Sequence, residues 1–193
     1  MTIFAFVFFT EIVIDMKKHI SLVFTLALLM AVSFGCKVGP DDPGFTFASR
    51  DGRLMGDWNL TAVVDSTVDI NGAITFITSR TYNGSILTTV TPFGNSSDSY
   101  ALTVSITEGG NLTTVETENG DVTTNQSYWE WLGDDKNKSQ VLFNDGSMAA
   151  GIWDVQGLST KSLILTMHTK ETNVSNGNVE SREETRRLTF EAI

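Results

Sequence analysis

The sequence is poor in the residues that carry most enzyme chemistry. Among 193 residues there are one Cys, two His and three Pro. The single cysteine, Cys36, excludes an intrachain disulfide and a Cys-rich zinc site. His19 and His168 leave little from which to build a metal cluster or a hydrolytic triad. Basic residues are also few. Thirteen Lys and Arg face 23 Asp and Glu, for a formal charge of −10. A nucleic-acid binder needs a basic footprint, so that class is excluded. Charged residues make up only 19% of the chain, and Ser, Thr and Asn supply the remaining polarity. The length fits one domain with an appendage.

What is present begins with an address. Lys17 and Lys18 precede an apolar run from Ile20 to Val32, which ends at the small residues Ser33 and Gly35. A basic start, an apolar middle and a small-residue end form a secretory signal. The uninterrupted apolar stretch is shorter than the roughly 20 residues of a membrane span. Met16 stands where such a signal begins, so residues 1–15 are expected to be a gene-calling extension and residues 16–35 the signal. Gly35-Cys36 at the end of the apolar run resembles the lipobox of bacterial lipoproteins. That resemblance implies acylation of the Cys36 thiol. Gly39-Pro40-Asp41-Asp42-Pro43-Gly44 follows at once and reads as an extended tether. Residues 36–52 are thus expected to be lipidated Cys and spacer, and residues 53–193 the folded domain. Removing residues 1–35 takes away Glu11, Asp15, Lys17 and Lys18, so the acidity belongs to the exported part.

That part reads as all-β. Thr and β-branched aliphatics fit a pleated surface, and Gly punctuates the apolar runs. Trp58, Leu60, Ala62 and Val64 alternate along a first strand, and Ile74, Phe76 and Thr78 along a second. Asn83-Gly84 and Asn119-Gly120 are tight-hairpin signals. The clearest strand is 99–107, with Tyr100, Leu102, Val104 and Ile106 on one face. Gly109-Gly110 closes it, and Leu112–Glu118 and Val122–Leu132 follow. Val141 with Phe143, then Ile152 with Trp153 and Val155, mark two more strands, the second ended by Gly157. Leu163, Leu165 and Met167 mark another. Asn173–Asn178 reads as a polar loop before a last strand through Leu188 and Phe190. Only Phe47–Met55 could hold a helical turn. So many one-sided strands need a second layer or a closed surface. The short links favour an antiparallel meander barrel of about eight to ten strands, with a β-sandwich as the alternative.

Leu54-Met55-Gly56-Asp57-Trp58-Asn59-Leu60 resembles the Gly-X-Trp opening of lipocalin-like domains. Val141–Ser147, Gly151–Val155, Leu163–Thr166 and Arg187–Phe190 are similar to later hairpins of the lipocalin-like lipoproteins of the Bacteroidetes. The resemblance spans roughly residues 53–193. It implies a barrel on a lipid anchor in the bacterial cell envelope, at the outer membrane, and it implies no particular ligand.

The candidate chemistry is sparse. His168 lies on an alternating strand without a second His or a Gly-X-Ser-X-Gly nucleophile elbow, so it reads as a surface or lumen side chain. Asp134-Asp135 reads as a solvated turn, because it lacks the spacing of a calcium loop. No metal ligands, cofactor or catalytic residues are assigned. Trp129 and Trp131 share one strand face and are the candidate ligand-binding residues. Core packing is the plainer reading of both. The expectation is a non-enzymatic, membrane-anchored protein that binds a small hydrophobic molecule or a partner. The alternatives are a structural or adhesive envelope module without a cavity, and a glycan-binding or glycan-active protein.

Overall fold

The computed structural model describes residues 48–133, 138–175 and 178–193. Cys36, the expected signal, the expected tether through residue 47 and Asp134-Asp135 lie outside the described residues. One short helix, α1 (Arg50–Leu54), precedes ten strands. These are β1 (Gly56–Asn71), β2 (Ile74–Tyr82), β3 (Ile86–Thr91), β4 (Gly94–Ile106), β5 (Asn111–Glu118), β6 (Asp121–Leu132), β7 (Gln140–Asn144), β8 (Gly151–Leu158), β9 (Ser162–Ser175) and β10 (Asn178–Ala192). Each pairs with its sequence neighbours, and β1 pairs with β10 to close an antiparallel meander barrel. The sandwich alternative is thereby excluded.

Turn chemistry sets the hairpins. Asn119 (φ 51°) and Gly120 (φ 92°) both take positive φ, as a two-residue hairpin turn requires. Asn83 uses its side-chain oxygen to accept from Ser85 N and Ile86 N, fixing the β2–β3 turn. Two hairpins extend further than their apolar pattern indicates. β4 begins at Gly94 rather than 99, because Pro92-Phe93 is the turn and Thr91 pairs with Gly94. β9 and β10 run through the expected Asn173–Asn178 loop, with Val174 opposite Val179 and Ser175 opposite Asn178. Both extensions carry mostly exposed residues, so nothing in them alternates.

A bulge corrects the reading of β1. The ladder to β10 slips between Leu60 and Ala62, leaving Thr61 as the extra residue. An extra residue flips every later side chain to the other face. Trp58 and Leu60 point inward before it. After it Val63, Asp65 and Thr67 are buried, while Val64 is 59% exposed. Thr61 anchors the bulge by donating Oγ1 to Thr189 O at 3.1 Å. A second bulge between Val155 and Gly157 carries β8 past its expected end to Leu158.

The barrel is not uniform in width. At its start β1 pairs with β4, from Gly56 opposite Ile106 to Asn59 opposite Thr103. From Val63 onward that edge of β1 pairs with β2 instead. The β2–β3 hairpin is therefore a wedge that widens one end, since diameter grows with strand number. The narrow part is filled by apolar side chains. Trp58, Trp153, Phe143 and Phe190 are each no more than 2% exposed. Both buried indoles meet the need of a buried N–H for an acceptor. Trp58 Nε1 donates to Leu54 O at 2.8 Å and Trp153 Nε1 to Ala149 O at 2.7 Å.

The wider part carries buried polar groups. Asp65 is inward on β1, with Arg80 of β2 and Arg186 of β10 directly opposite on either side. Asp65 Oδ2 accepts from Arg80 Nε at 2.9 Å, from Arg80 Nη2, and from Arg186 Nε at 3.2 Å. Arg186 also donates to Glu184 Oε1 and to Met148 O, and lies 6.0 Å from the Trp153 ring centroid. Nearby in register, Tyr82 meets Tyr100 edge to face at 5.7 Å and donates to Tyr100 O at 3.0 Å.

The Tyr100 hydroxyl donates to Glu116 Oε1. Burial, and then the Glu116 hydrogen bond and charge, push the Tyr100 phenol well above its usual value of 10.0. The folded state therefore holds that proton more tightly than the unfolded chain. The resulting stability is full below pH 10 and is lost as pH rises beyond it. Denaturant melts between pH 9 and 11.5 are expected to show a fall approaching about 1.4 kcal/mol per pH unit above pH 10. Tyr100→Phe removes that component of the slope. An identical slope in the variant would assign it to other groups.

Candidate functional site

Trp129 and Trp131 stand on β6, two residues apart and on one face, while Tyr128 and Glu130 face outward and are exposed. Their rings meet edge to face, with centroids 6.2 Å apart and planes at 86°. That is a favoured geometry for aromatic quadrupoles. Trp129 is 8% exposed and belongs to the core, and half-buried Trp131 packs against that core. The core reading therefore applies to both residues. The pair anchors the barrel wall and also forms the floor of a groove of about 330 Å³. The groove is open to solvent rather than an enclosed lumen, because the narrow barrel is filled with side chains.

One wall of the groove is the turn between β4 and β5. Gly109 and Gly110 take φ of 82° and 83° there, a region that other residues rarely occupy. Gly110 O accepts from Trp129 N at 2.8 Å. A Cβ on Gly110 would sit 3.2 Å from Trp129 O, so glycine permits the close approach of turn and β6. Thr107 O accepts from Trp129 Nε1 at 3.1 Å and fixes that ring.

The other wall is α1, with Met55 beside it. Ser49 caps this helix by accepting from Gly52 N at 3.0 Å. Five residues are too few for a helix to persist alone, so tertiary contacts hold it. Arg50 Nη2 donates to Val155 O and Arg53 Nη1 to Leu158 O, both on β8. Asp51 Oδ1 accepts from Trp131 Nε1 at 2.6 Å and from Lys138 Nζ at 2.7 Å. The Arg50 guanidinium lies 5.6 Å from the Trp131 ring centroid, in cation–π range. Burial alone would raise the Asp51 carboxyl. Hydrogen bonds from Lys138 and Trp131, with the Lys138 charge, outweigh burial and hold it below the ordinary carboxylate value.

Asp51, Arg50 and Lys138 carry no motif, and their roles become visible only when the segment before β1 folds over the end of the barrel. The Asp65–Arg80–Arg186 row is likewise silent in sequence, although Asp65 is a charge in an otherwise alternating strand. His168 lies on the outer face, with Nδ1 3.2 Å from Thr185 Oγ1 and Nε2 3.8 Å from Glu183 Oε1. Among the described residues, no three His, Cys, Asp or Glu side chains gather as metal ligands would. Comparison of the chain with family models, with curated proteins and with solved structures gives no match.

Proposed function

We propose that this protein is a non-enzymatic, lipid-anchored lipocalin-like protein of the bacterial cell envelope, at the outer membrane, and that it binds a small hydrophobic ligand in the Trp129–Trp131 groove. The observation that carries the ligand site is the groove itself, floored by an edge-to-face tryptophan pair and bounded by the Gly109-Gly110 turn. A groove of about 330 Å³ is within the size range of small-molecule sites. The anchor rests on Cys36 at the end of an apolar run with a Pro/Gly/Asp tether behind it. α1, which follows the proposed tether in sequence, contributes Asp51 to the groove.

A second reading has an observation of its own. The packed interior around Trp58, Trp153, Phe143 and Phe190 favours a structural or adhesive module without a ligand cavity. One titration separates the two. The neutral fluorophore N-phenyl-1-naphthylamine is expected to brighten on binding the purified protein. Trp131→Leu, which removes half of the floor, is expected to weaken that binding about ten-fold or more, as loss of an aromatic anchor does. Absence of binding, or equal binding by the variant, would favour the module. The anchor is tested in cells by radioactive fatty-acid labelling. Label is expected in the protein and not in Cys36→Ser, and equal label in both would refute lipidation at Cys36.

A further inference from the structure

We propose that the open edge of β6, at the wide end of the barrel, binds an extended lysine-bearing segment of a partner protein, which joins the sheet as a further strand. This site is independent of the Trp129–Trp131 groove, which lies at the other end of β6. β6 runs from Asp121 to Leu132, but β7 pairs with it only from Tyr128, opposite Asn144, to Leu132. Among the described residues, no strand pairs with that side of residues 121–127. The opening is about 23 Å long at the usual rise of a strand. β8 likewise pairs with β9 only from Leu163 to Thr166, so neither short strand covers this end of the wall.

Trp129 N donates to Gly110 O on the β5 side. Backbone groups of a strand point alternately to its two sides. The odd residues of β6 therefore bond to β5, and Val122, Thr124 and Gln126 turn their N–H and C=O groups to the open side. Such a row is a template for another strand. Edges are commonly blunted by lysine, proline or a bulge. Residues 122–127 carry no charge and no proline, and the β5–β6 ladder runs through them without a slip. The β9 edge beyond Thr166 differs, since it bears His168 and Lys170.

The odd side chains of β6 share the face of buried Trp129 and point to the barrel interior. Near the hairpin tip this face sets Asp121 opposite Glu118 and Thr123 opposite Glu116. With Asn119 these residues line a hollow of about 220 Å³ that no lysine or arginine borders. Arg80, Arg182 and Arg186 stand on β2 and β10, each in an ion pair with Asp65 or Asp69. A strand laid on β6 puts every second side chain on this face. Lysine there meets the carboxylates, whereas an acidic strand meets like charge. The side chains between fall on the outer face beside Val122 and Thr124, where β-branched residues fit. The unpaired backbone makes the site, and the carboxylates set the charge of what fills it.

The probe is the capped peptide Lys-Thr-Lys-Val-Lys-Thr-Lys, titrated into the purified protein by calorimetry. On β6 its Thr and Val side chains share the outer face, so their N–H groups point to β6 and those of the lysines point away. N-methylation at Thr, Val and Thr is expected to weaken binding about ten-fold or more, through loss of the paired hydrogen bonds. N-methylation at the two internal lysines is expected to leave binding within about two-fold, since those groups bond to nothing on β6. Exchange of all four lysines for glutamate is expected to abolish binding. Thr124→Pro removes the central N–H of the open edge and no bond to β5, so it is expected to weaken the parent peptide to the same degree while the thermal melt is unchanged. Equal binding of the two N-methylated peptides would mean attraction by charge alone and overturns strand addition. Undiminished binding by a folded Thr124→Pro overturns it too, as does a parent peptide that fails to bind at millimolar concentration. If Thr124→Pro does not fold, the two N-methylated peptides decide.

Discussion

Replacing Asp65 by Ala is expected to cost about 3–5 kcal/mol of unfolding free energy. Its side chain is only 2% exposed and receives three charge-assisted hydrogen bonds from two arginines. Without it, Arg80 and Arg186 confront each other across β1 with no anion between them. Arg80 can relieve part of this, since its side chain is 32% exposed and can turn to water. Arg186 has no such exit, because it is 14% exposed and tied to Glu184, Met148 and the Trp153 face. The cost is the desolvated, uncompensated charge rather than the strength of the original bonds. The control follows from that distinction. A quadruple variant, Asp65→Leu with Arg80→Leu, Glu184→Gln and Arg186→Met, removes the whole charged row, including the carboxylate paired to Arg186, and is expected to recover most of the loss. Chemical denaturation of the parent, the single and the quadruple variant decides the matter. A single variant within about 0.5 kcal/mol of the parent, the usual range for surface changes, would mean the row is solvated in solution.

Trp153→Ala is expected to have a similar effect, again about 3–5 kcal/mol. Trp153 is fully buried on β8, and its removal leaves a large cavity among neighbours that a closed barrel holds in place. Collapse around the gap is restricted because each strand is hydrogen-bonded on both sides. The indole also serves two polar groups. Ala149 O loses its donor, and the Arg186 guanidinium loses the ring beneath it. Trp153→Phe separates these contributions. It keeps most of the volume and is expected to cost about 1–3 kcal/mol, mainly for the unmet carbonyl. Val64→Ala serves as the contrast. Val64 stood on the same sequence face as Trp58, but the Thr61 bulge turns it outward. Its replacement is expected to change stability by less than about 0.5 kcal/mol. A large loss at Val64 and a small one at Trp153 would contradict the bulge and the inward register of β8.

The two variants also mark the line between what was legible in the chain and what was not. Where one face is buried and the other wet, side-chain period two is written directly into the residues. Tyr100, Leu102, Val104 and Ile106 announced their strand and are all buried. Asn119-Gly120 announced its hairpin, because few other residue pairs accept two positive φ angles. Where both faces are exposed no such record exists, and so the β4 start and the β9–β10 tips were read short. A bulge leaves no mark in periodicity either. It appears as noise in the pattern until the partner strand supplies the register.

The candidate site divides in the same way. Trp129 and Trp131 were legible as a pair because a strand places positions two apart on one face. Their groove was not, since one wall comes from Asp51, 80 positions from Trp131 in the chain, and the other from the β4–β5 turn. The Asp51–Trp131 bond and the Arg50–Trp131 stacking exist only because α1 folds back across the barrel end. The all-β class, the strand succession and the identity of the aromatic pair are local properties, encoded in alternation and turn chemistry. The width of the barrel, the inward turn of Asp65 and the joining of helix, turn and strand into one groove are not local. They follow from β1 changing partners between β4 and β2 and from one extra residue at Thr61, which act through closure of the sheet on itself.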